Sequence, residues 1–101
     1  MSLYKFVANE RPTLGVEIEL NLVDRQTMSL RSGIAEIMAA LPAELEGAVK
    51  PELLQCYLEI NTKICEDVAE VQSDLEEKLR AVQEIAARQG MLLFWSATHP
   101  F

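Results

Sequence analysis

Long apolar runs are missing from this sequence of 101 residues. Its bulkiest apolar stretch, residues 91–95, is far shorter than the roughly 20 residues that a membrane-spanning helix needs. The N-terminal residues 1–6 lack the apolar centre of a signal peptide. We therefore expect a cytoplasmic protein that has no membrane partner.

Basic residues are also scarce. Nine Lys and Arg stand against 16 Asp and Glu, which gives a formal net charge of −7. A nucleic-acid-binding domain usually carries a basic patch, and an anionic membrane surface attracts clusters of basic residues. Because the basic residues here are few and scattered, we expect neither nucleic acid nor an anionic lipid surface as a partner.

Cysteine, glycine and histidine are each too sparse for the motifs that depend on them. Cys56 and Cys65 are nine residues apart, which matches no metal or redox spacing. We predict two free thiols, with a disulfide as the alternative allowed by count alone. The four glycines lie too far apart for a phosphate-binding loop. With His99 as the single histidine, no Ser-His-Asp arrangement can be argued.

The sequence does contain enough apolar residues for a folded core. Hydrophobic residues make up 50% of the chain. A chain of this length buries about 60–70% of the surface that its unfolded form exposes. The composition is that of a globular protein rather than a disordered one. We therefore expect a single domain over residues 1–101.

Strict alternation of apolar and polar residues predicts two strands, over residues 13–23 and 54–61. Such alternation is typical of a strand that buries one face and exposes the other. A short extended piece is expected at 48–52. Residues 91–97 are predicted to form a well-buried strand, with Trp95 in the core.

Apolar residues at spacings of three and four predict two helices. The first covers residues 34–41, with Ser32 as its N-cap. The second is longer and amphipathic, covers residues 66–89, and is capped by Glu66 or Asp67. The predicted fold class is α+β, a two-layer sandwich in the order β-α-β-β-α-β. Its sheet is mostly antiparallel, and both helices lie on one face.

The polar face of the predicted sheet carries three carboxylates. Glu17 and Glu19 point the same way from one strand, about 7 Å apart, and Glu59 lies beside them if the two strands are neighbours. No Lys or Arg alternates with them on either strand. Because like charges on neighbouring strands are destabilising, the cluster suggests a hard divalent cation such as Mg²⁺, which prefers oxygen ligands. The competing interpretation is an ordinary solvated sheet face.

Three segments of the chain carry a family resemblance. Residues 13–20 (TLGVEIEL), 50–62 (KPELLQCYLEINT) and 97–101 (ATHPF) resemble three signature motifs of the carboxylate–amine ligases. This is the bacterial type-2 glutamate–cysteine ligase-like family, with a glutamine synthetase-like fold. The segments occur in the family's order and span nearly the whole chain. Lys63 and Ala97 stand where the family commonly has proline and glycine, away from the carboxylates.

The resemblance implies a reaction. In such enzymes ATP phosphorylates the side-chain carboxylate of glutamate, and an amine such as that of cysteine attacks the acyl phosphate to form an amide, as in glutathione biosynthesis. The family's ions would be Mg²⁺ or Mn²⁺. Their ligands, carried over by position, would be Glu17, Glu19 and Glu59. The residues near the nucleotide or amino acid would be Glu52, Asn61 and Thr62. His99 would border the site as a candidate catalytic residue.

Family members are several times longer than this chain. The resemblance therefore implies the N-terminal portion of the enzyme, half of a glutamine synthetase-like catalytic domain, with little or no turnover alone. One alternative is a non-catalytic α+β binding or homodimerisation module, in which a second copy covers open sheet edges. Another is a catalyst whose site is completed across a symmetric dimer.

Overall fold

The computed structural model describes residues 4–96. Within them, the elements occur in the order β1 (Glu17–Asp24), α1 (Ile34–Ala40), β2 (Val49–Pro51), β3 (Tyr57–Asn61), α2 (Val68–Arg88) and β4 (Met91–Phe94). A 3-10 turn, Ala43–Leu45, stands between α1 and β2. Neither helix in this range is long and apolar enough to cross a membrane.

The strands form one antiparallel sheet with the order β2-β3-β1-β4. The first part of β1 pairs with β3 and places Glu19 opposite Glu59. The second part of β1 pairs with β4 and places Val23 opposite Leu92. An antiparallel sheet combined with two helices confirms the predicted α+β class.

One face of the sheet carries the core. Alternation along the strands puts Leu20 and Leu22 of β1 on the same side as Leu58 and Ile60 of β3, and all four are fully buried. They form one cluster with helical side chains from α1 and α2, namely Ile34, Ile37, Val82, Ile85 and Ala86. Burying a side chain of the Leu or Ile type contributes about 1.5–3 kcal/mol. The glutamates of β1 and β3 therefore face the opposite side.

The long helix α2 has the predicted kind of cap and stop, although it covers Val68–Arg88 rather than residues 66–89. Asp67 is the N-cap, and its carboxylate accepts a hydrogen bond from Glu70 N at 2.9 Å. Glu70 Oε2 in turn accepts from Glu66 N at 2.8 Å. Of the two predicted caps, Asp67 is therefore the one that acts. Gly90 follows the helix with a φ of 74°, a conformation that favours glycine.

Two strands are shorter than the alternation predicts. β1 begins at Glu17 rather than near residue 13, because Leu14 makes only an isolated pair with Cys65. Residues 54–56 form a turn in which Tyr57 N donates to Leu54 O at 3.1 Å, so β3 begins at Tyr57. In both places the alternating pattern runs on beyond the regular strand, and single backbone bonds continue there, as where Leu22 N donates to Cys56 O at 2.7 Å.

The predicted cap of α1 and the predicted burial of Trp95 are wrong. Gly33, not Ser32, is the N-cap of α1, and no side chain caps it. Met91 Sδ lies against the position that a Cβ of residue 33 would occupy, so a side chain at this cap would have to displace the end of the Met91 side chain. Trp95 is 59% exposed because β4 ends at Phe94, where its pairing with β1 ends.

Both cysteines are free thiols, as predicted, and no disulfide joins them. Cys65 is buried, and its thiol donates to Lys63 O at 3.3 Å. Cys56 is half-buried at the turn before β3.

Candidate metal centre

The candidate site lies on the face of the sheet opposite the core. Three residues form a row across neighbouring strands: Lys50 of β2 pairs with Glu59 of β3, which pairs with Glu19 of β1. Glu17 of β1 pairs with Asn61 of β3, and this pair is the next one on the same face of the two strands. Cross-strand partners point to the same side of a sheet, so the pairing brings these polar side chains together.

Three carboxylates lie close together here, two from this row and the third from Glu52. Oxygen atoms of Glu19, Glu52 and Glu59 all lie within 4.8 Å of one another. Glu19 is exposed, whereas Glu52 and Glu59 are half-buried. Glu52 follows β2 directly, so the short pairing of β2 with β3 delivers its carboxylate to the other two. The sequence did not determine the register of β1 and β3. The observed register places Glu19 beside Glu59.

Glu59 is the electrostatic centre of the site. Burial raises the pKa of its carboxyl, and so do a hydrogen bond with Glu17 and the negative charges of Glu17 and Glu52. The ammonium of Lys50 acts in the opposite direction without outweighing these effects. A raised carboxyl pKa means that the folded chain favours a proton at this position. Glu17 thus belongs to the site through Glu59, although it lies outside the tightest group of three.

The donor set fits a hard divalent cation. Carboxylate oxygens are the ligands that Mg²⁺, Mn²⁺ and Ca²⁺ prefer. Burial and the neighbouring carboxylate of Glu17 raise the pKa of the Glu59 carboxyl. A divalent ion would supply positive charge among these carboxylates. Glu17, Glu19, Glu52 and Glu59 could therefore hold such an ion without a change of fold.

Asn61 and Thr62 lie at the edge of this site, where β3 ends. Thr62 Oγ1 accepts a hydrogen bond from Val16 N at 2.9 Å, and Thr62 N donates to Val16 O at 2.9 Å. Thr62 therefore holds the backbone of Val16, the residue before Glu17, through two hydrogen bonds. The side-chain oxygen of Asn61 is buried and has no hydrogen-bond partner within residues 4–96.

A shallow hollow of about 460 Å³ adjoins the carboxylates and is lined by Glu17, Glu19, Trp95 and Ser96. The backbone after β4 is held here because Asn21 Nδ2 donates to Ser96 O at 2.8 Å. His99, the predicted catalytic residue, lies outside the described residues.

Sequence reasoning assigned Glu52 to the nucleotide or amino acid and passed over Lys50. The structure places Glu52 among the carboxylates and Lys50 opposite Glu59. The two residues flank Pro51, and a spacing of two on an extended segment puts side chains on one face. That spacing was a usable signal, although the three-residue strand β2 is too short to show a clear alternation.

Comparisons with known proteins find one and the same family. The family model for glutamate-cysteine ligase family 2 matches residues 13–101. Three similar relatives are each named "Putative glutamate--cysteine ligase 2". The chain is 39% identical to the one from Gloeobacter violaceus, 41% to the one from Mycobacterium tuberculosis and 37% to the one from Jannaschia sp..

These matches cover unequal shares of the proteins compared. They include 95%, 95% and 93% of this chain, but 26%, 25% and 25% of the respective relatives. The chain thus spans about a quarter of the length of the curated relatives that it matches.

Proposed function

This chain belongs to the glutamate-cysteine ligase family 2, and on that premise we propose that it forms the cation-binding N-terminal part of an ATP- and Mg²⁺-dependent carboxylate–amine ligase. Glu17, Glu19 and Glu59 hold the divalent cation, Mg²⁺ or Mn²⁺. Glu52 joins them as a fourth carboxylate. The acid substrate is glutamate or a similar acid, and the amine is cysteine or a similar amine.

The observation that supports the proposal most directly is the environment of Glu59. Its carboxylate lies with those of Glu19 and Glu52, and its pKa is raised by burial and by the neighbouring carboxylates of Glu17 and Glu52. Like charges placed opposite each other destabilise a sheet. A bound divalent cation would remove that penalty.

A divalent cation held by Glu17, Glu19 and Glu59 would supply positive charge for phosphoryl transfer. The glutamates of β1 and β3 fix the position of the ion, because both strands are held in the middle of the sheet. Asn61 and Thr62 border the ion at the end of β3, near the nucleotide or the amino acid. His99 is a candidate catalytic residue of the same site, as the resemblance implies.

The matched relatives are about four times longer than this chain. We therefore propose that the chain supplies the cation-binding face and that ATP, glutamate and the amine are held in part by the rest of the full-length protein. We expect no ADP release from the chain alone. We also propose that the protein is cytoplasmic and has neither nucleic acid nor membranes as partners.

A calorimetric titration of the purified chain with Mn²⁺ tests the proposal. We expect saturable binding in the wild type and its loss in Glu17→Gln and Glu59→Gln. The matched control is Glu84→Gln, because Glu84 is an exposed acid on α2, far from the site in sequence and on the other layer. A folded wild-type chain that binds no Mn²⁺, or equal binding by all four proteins, would contradict the proposal.

A second candidate function is homodimerisation. Several large apolar side chains are strongly exposed, among them Leu53, Ile64 and Val68 at 97%, 77% and 73%. Exposed apolar patches often mark protein–protein contacts. Sedimentation of the chain over a range of concentrations tests this candidate, since a dimer gives a mass that rises with concentration and a monomer does not.

A further inference from the structure

The last residue of β3 lacks its expected backbone partner. Asn61 N donates to Ala48 O at 2.7 Å, as in an antiparallel pair. The reciprocal donor would be Ala48 N, but that group donates to Leu45 O at 3.1 Å in the turn that precedes β2. Asn61 O therefore receives no hydrogen bond from the neighbouring strand. A backbone carbonyl in this position needs another donor.

A lysine of α2 supplies that donor. Lys78 Nζ donates to Asn61 O at 3.1 Å and to Asp74 Oδ2 at 2.7 Å. Asp74 Oδ2 also accepts from Lys63 N at 2.9 Å. The two charged side chains are only 14% and 11% exposed. Each member of the ion pair thus makes one bond to its helical partner and one to the backbone at the end of β3, Lys78 to the last residue of the strand and Asp74 to Lys63 just after it.

The bonds of the ion pair flank a residue of the candidate site. Thr62 lies between the two backbone groups that α2 holds, and it makes two hydrogen bonds with Val16. Val16 immediately precedes Glu17, and Glu59 lies two residues before Asn61. A continuous set of bonds therefore leads from the Asp74–Lys78 pair to the backbone that carries Glu17 and Glu59, whose side chains lie on the opposite face.

We propose that Asp74 and Lys78 are positioning residues that hold the end of β3, and through Thr62 the start of β1, so that Glu17 and Glu59 meet at the cation. This inference rests on the proposed function. An isolated pair spaced four residues apart could stabilise α2 anywhere along its length. This pair differs because each partner makes a second bond to the backbone at the end of β3, next to the site.

Amide hydrogen exchange tests the positioning directly. The variant is Lys78→Met, which keeps an unbranched stem and removes the donor. We expect the amides of Val16 and Thr62 to exchange about tenfold faster, because local opening at the end of β3 becomes easier. Asp24 N, which donates to Ser29 O at the other end of β1, should keep its wild-type rate. Arg80→Met, an exposed change on the same helix, should alter none of the three.

Mn²⁺ affinity, measured where each variant is folded, separates positioning from a structural role. We expect about a tenfold loss for Lys78→Met, none for Arg80→Met, and partial recovery for Lys78→Arg, which keeps a charged donor. If Lys78→Met does not fold, Asp74→Asn replaces it, and the same two measurements apply.

The outcomes are distinguishable. If Lys78→Met, or Asp74→Asn in its place, binds Mn²⁺ within twofold of the wild type, the positioning role is overturned and the proposed function stands. Uniform acceleration of all three amides in that variant has the same meaning. A wild-type chain that binds no Mn²⁺ overturns the proposed function and this inference with it.

Discussion

Glu19 and Glu59 lie directly opposite each other on the two central strands of the sheet. Their carboxylates come within 4.8 Å of each other and of the carboxylate of Glu52. This placement combines a residue that is poorly suited to strands with a charge arrangement that strands avoid. The fold tolerates the penalty because the other face of the same strands carries fully buried leucine and isoleucine.

Removing the charge of Glu59 should make the metal-free chain more stable. In Glu59→Gln the amide keeps its size and can donate to Glu17, while the repulsion from the neighbouring carboxylates disappears. We expect the free energy of unfolding near neutral pH to rise by about 0.5–1 kcal/mol. Urea denaturation in the presence of a chelator measures it. Glu84→Gln should leave the value unchanged, and a loss of stability in Glu59→Gln would show that the carboxylate is held favourably.

Neutralising Lys50 should strengthen cation binding. Its ammonium lies across from Glu59 and lowers that carboxyl's pKa, so it also opposes the approach of a divalent ion. We expect Lys50→Met to bind Mn²⁺ about two- to fivefold more tightly, in line with the modest strength of exposed charge interactions. Calorimetric titration provides the measurement, with Lys5→Met in the exposed N-terminal segment as the control. Weaker binding by Lys50→Met would instead indicate that Lys50 supports the site.

The faces of the sheet could be predicted from the sequence because they follow from local alternation. Leu20 and Leu58 had to share one side with other apolar residues, and Glu19 and Glu59 had to share the other. The length of the strands could not be predicted in the same way. The alternation at residues 54–56 satisfies the pattern of a strand, but the chain turns there through the bond from Tyr57 N to Leu54 O, even though Cys56 O still accepts from Leu22 N of β1 at 2.7 Å.

The composition of the site depends on contacts between distant residues, which a single sequence does not reveal. Glu52 reaches the site because the three-residue strand β2 pairs with β3. Lys78 contacts the sheet because the Asn61 carbonyl has no backbone donor from the β2 side and accepts from Lys78 Nζ instead. The period of α2 predicts that helix well but does not indicate which of its charges reach the sheet. Trp95 was expected in the core because a bulky apolar run usually is, yet its strand ends one residue earlier.

The Thr62 hydroxyl should stabilise the fold as an acceptor. Its oxygen receives the hydrogen bond of the partly buried Val16 N, so Thr62→Val keeps the shape and leaves this donor unpaired. We expect Thr62→Val to lower the free energy of unfolding by about 1–2 kcal/mol, and Thr62→Ser to lose much less because it keeps the acceptor. Urea denaturation of the two variants provides the comparison. Equal losses would show that the methyl group, rather than the oxygen, carries the effect.

The Asp74 carboxyl should make the stability of the chain depend on pH in the acid range. Burial alone would raise its pKa, but hydrogen bonds from Lys78 and from Lys63 N, together with their charges, outweigh burial and lower the pKa below the ordinary 3.8. The folded state therefore holds the proton more weakly than the unfolded state does. The stability that ionised Asp74 contributes is complete above the ordinary value and is lost as the pH falls through the folded pKa.

Comparing Asp74→Asn with the wild type isolates this contribution. We expect the wild type to be more stable by about 1–3 kcal/mol near neutral pH, as is typical for hydrogen bonds to a charged group. The difference should shrink on acidification below the ordinary pKa of 3.8. Glu59 has a raised pKa and changes stability in the opposite sense, but both proteins contain it, so its effect cancels in the difference. Denaturation curves from neutral to acid pH give the measurement. A constant difference over that range would mean that Asp74 keeps the same pKa in the folded and unfolded chains, and that the Lys63 and Lys78 bonds do not favour its ionised form.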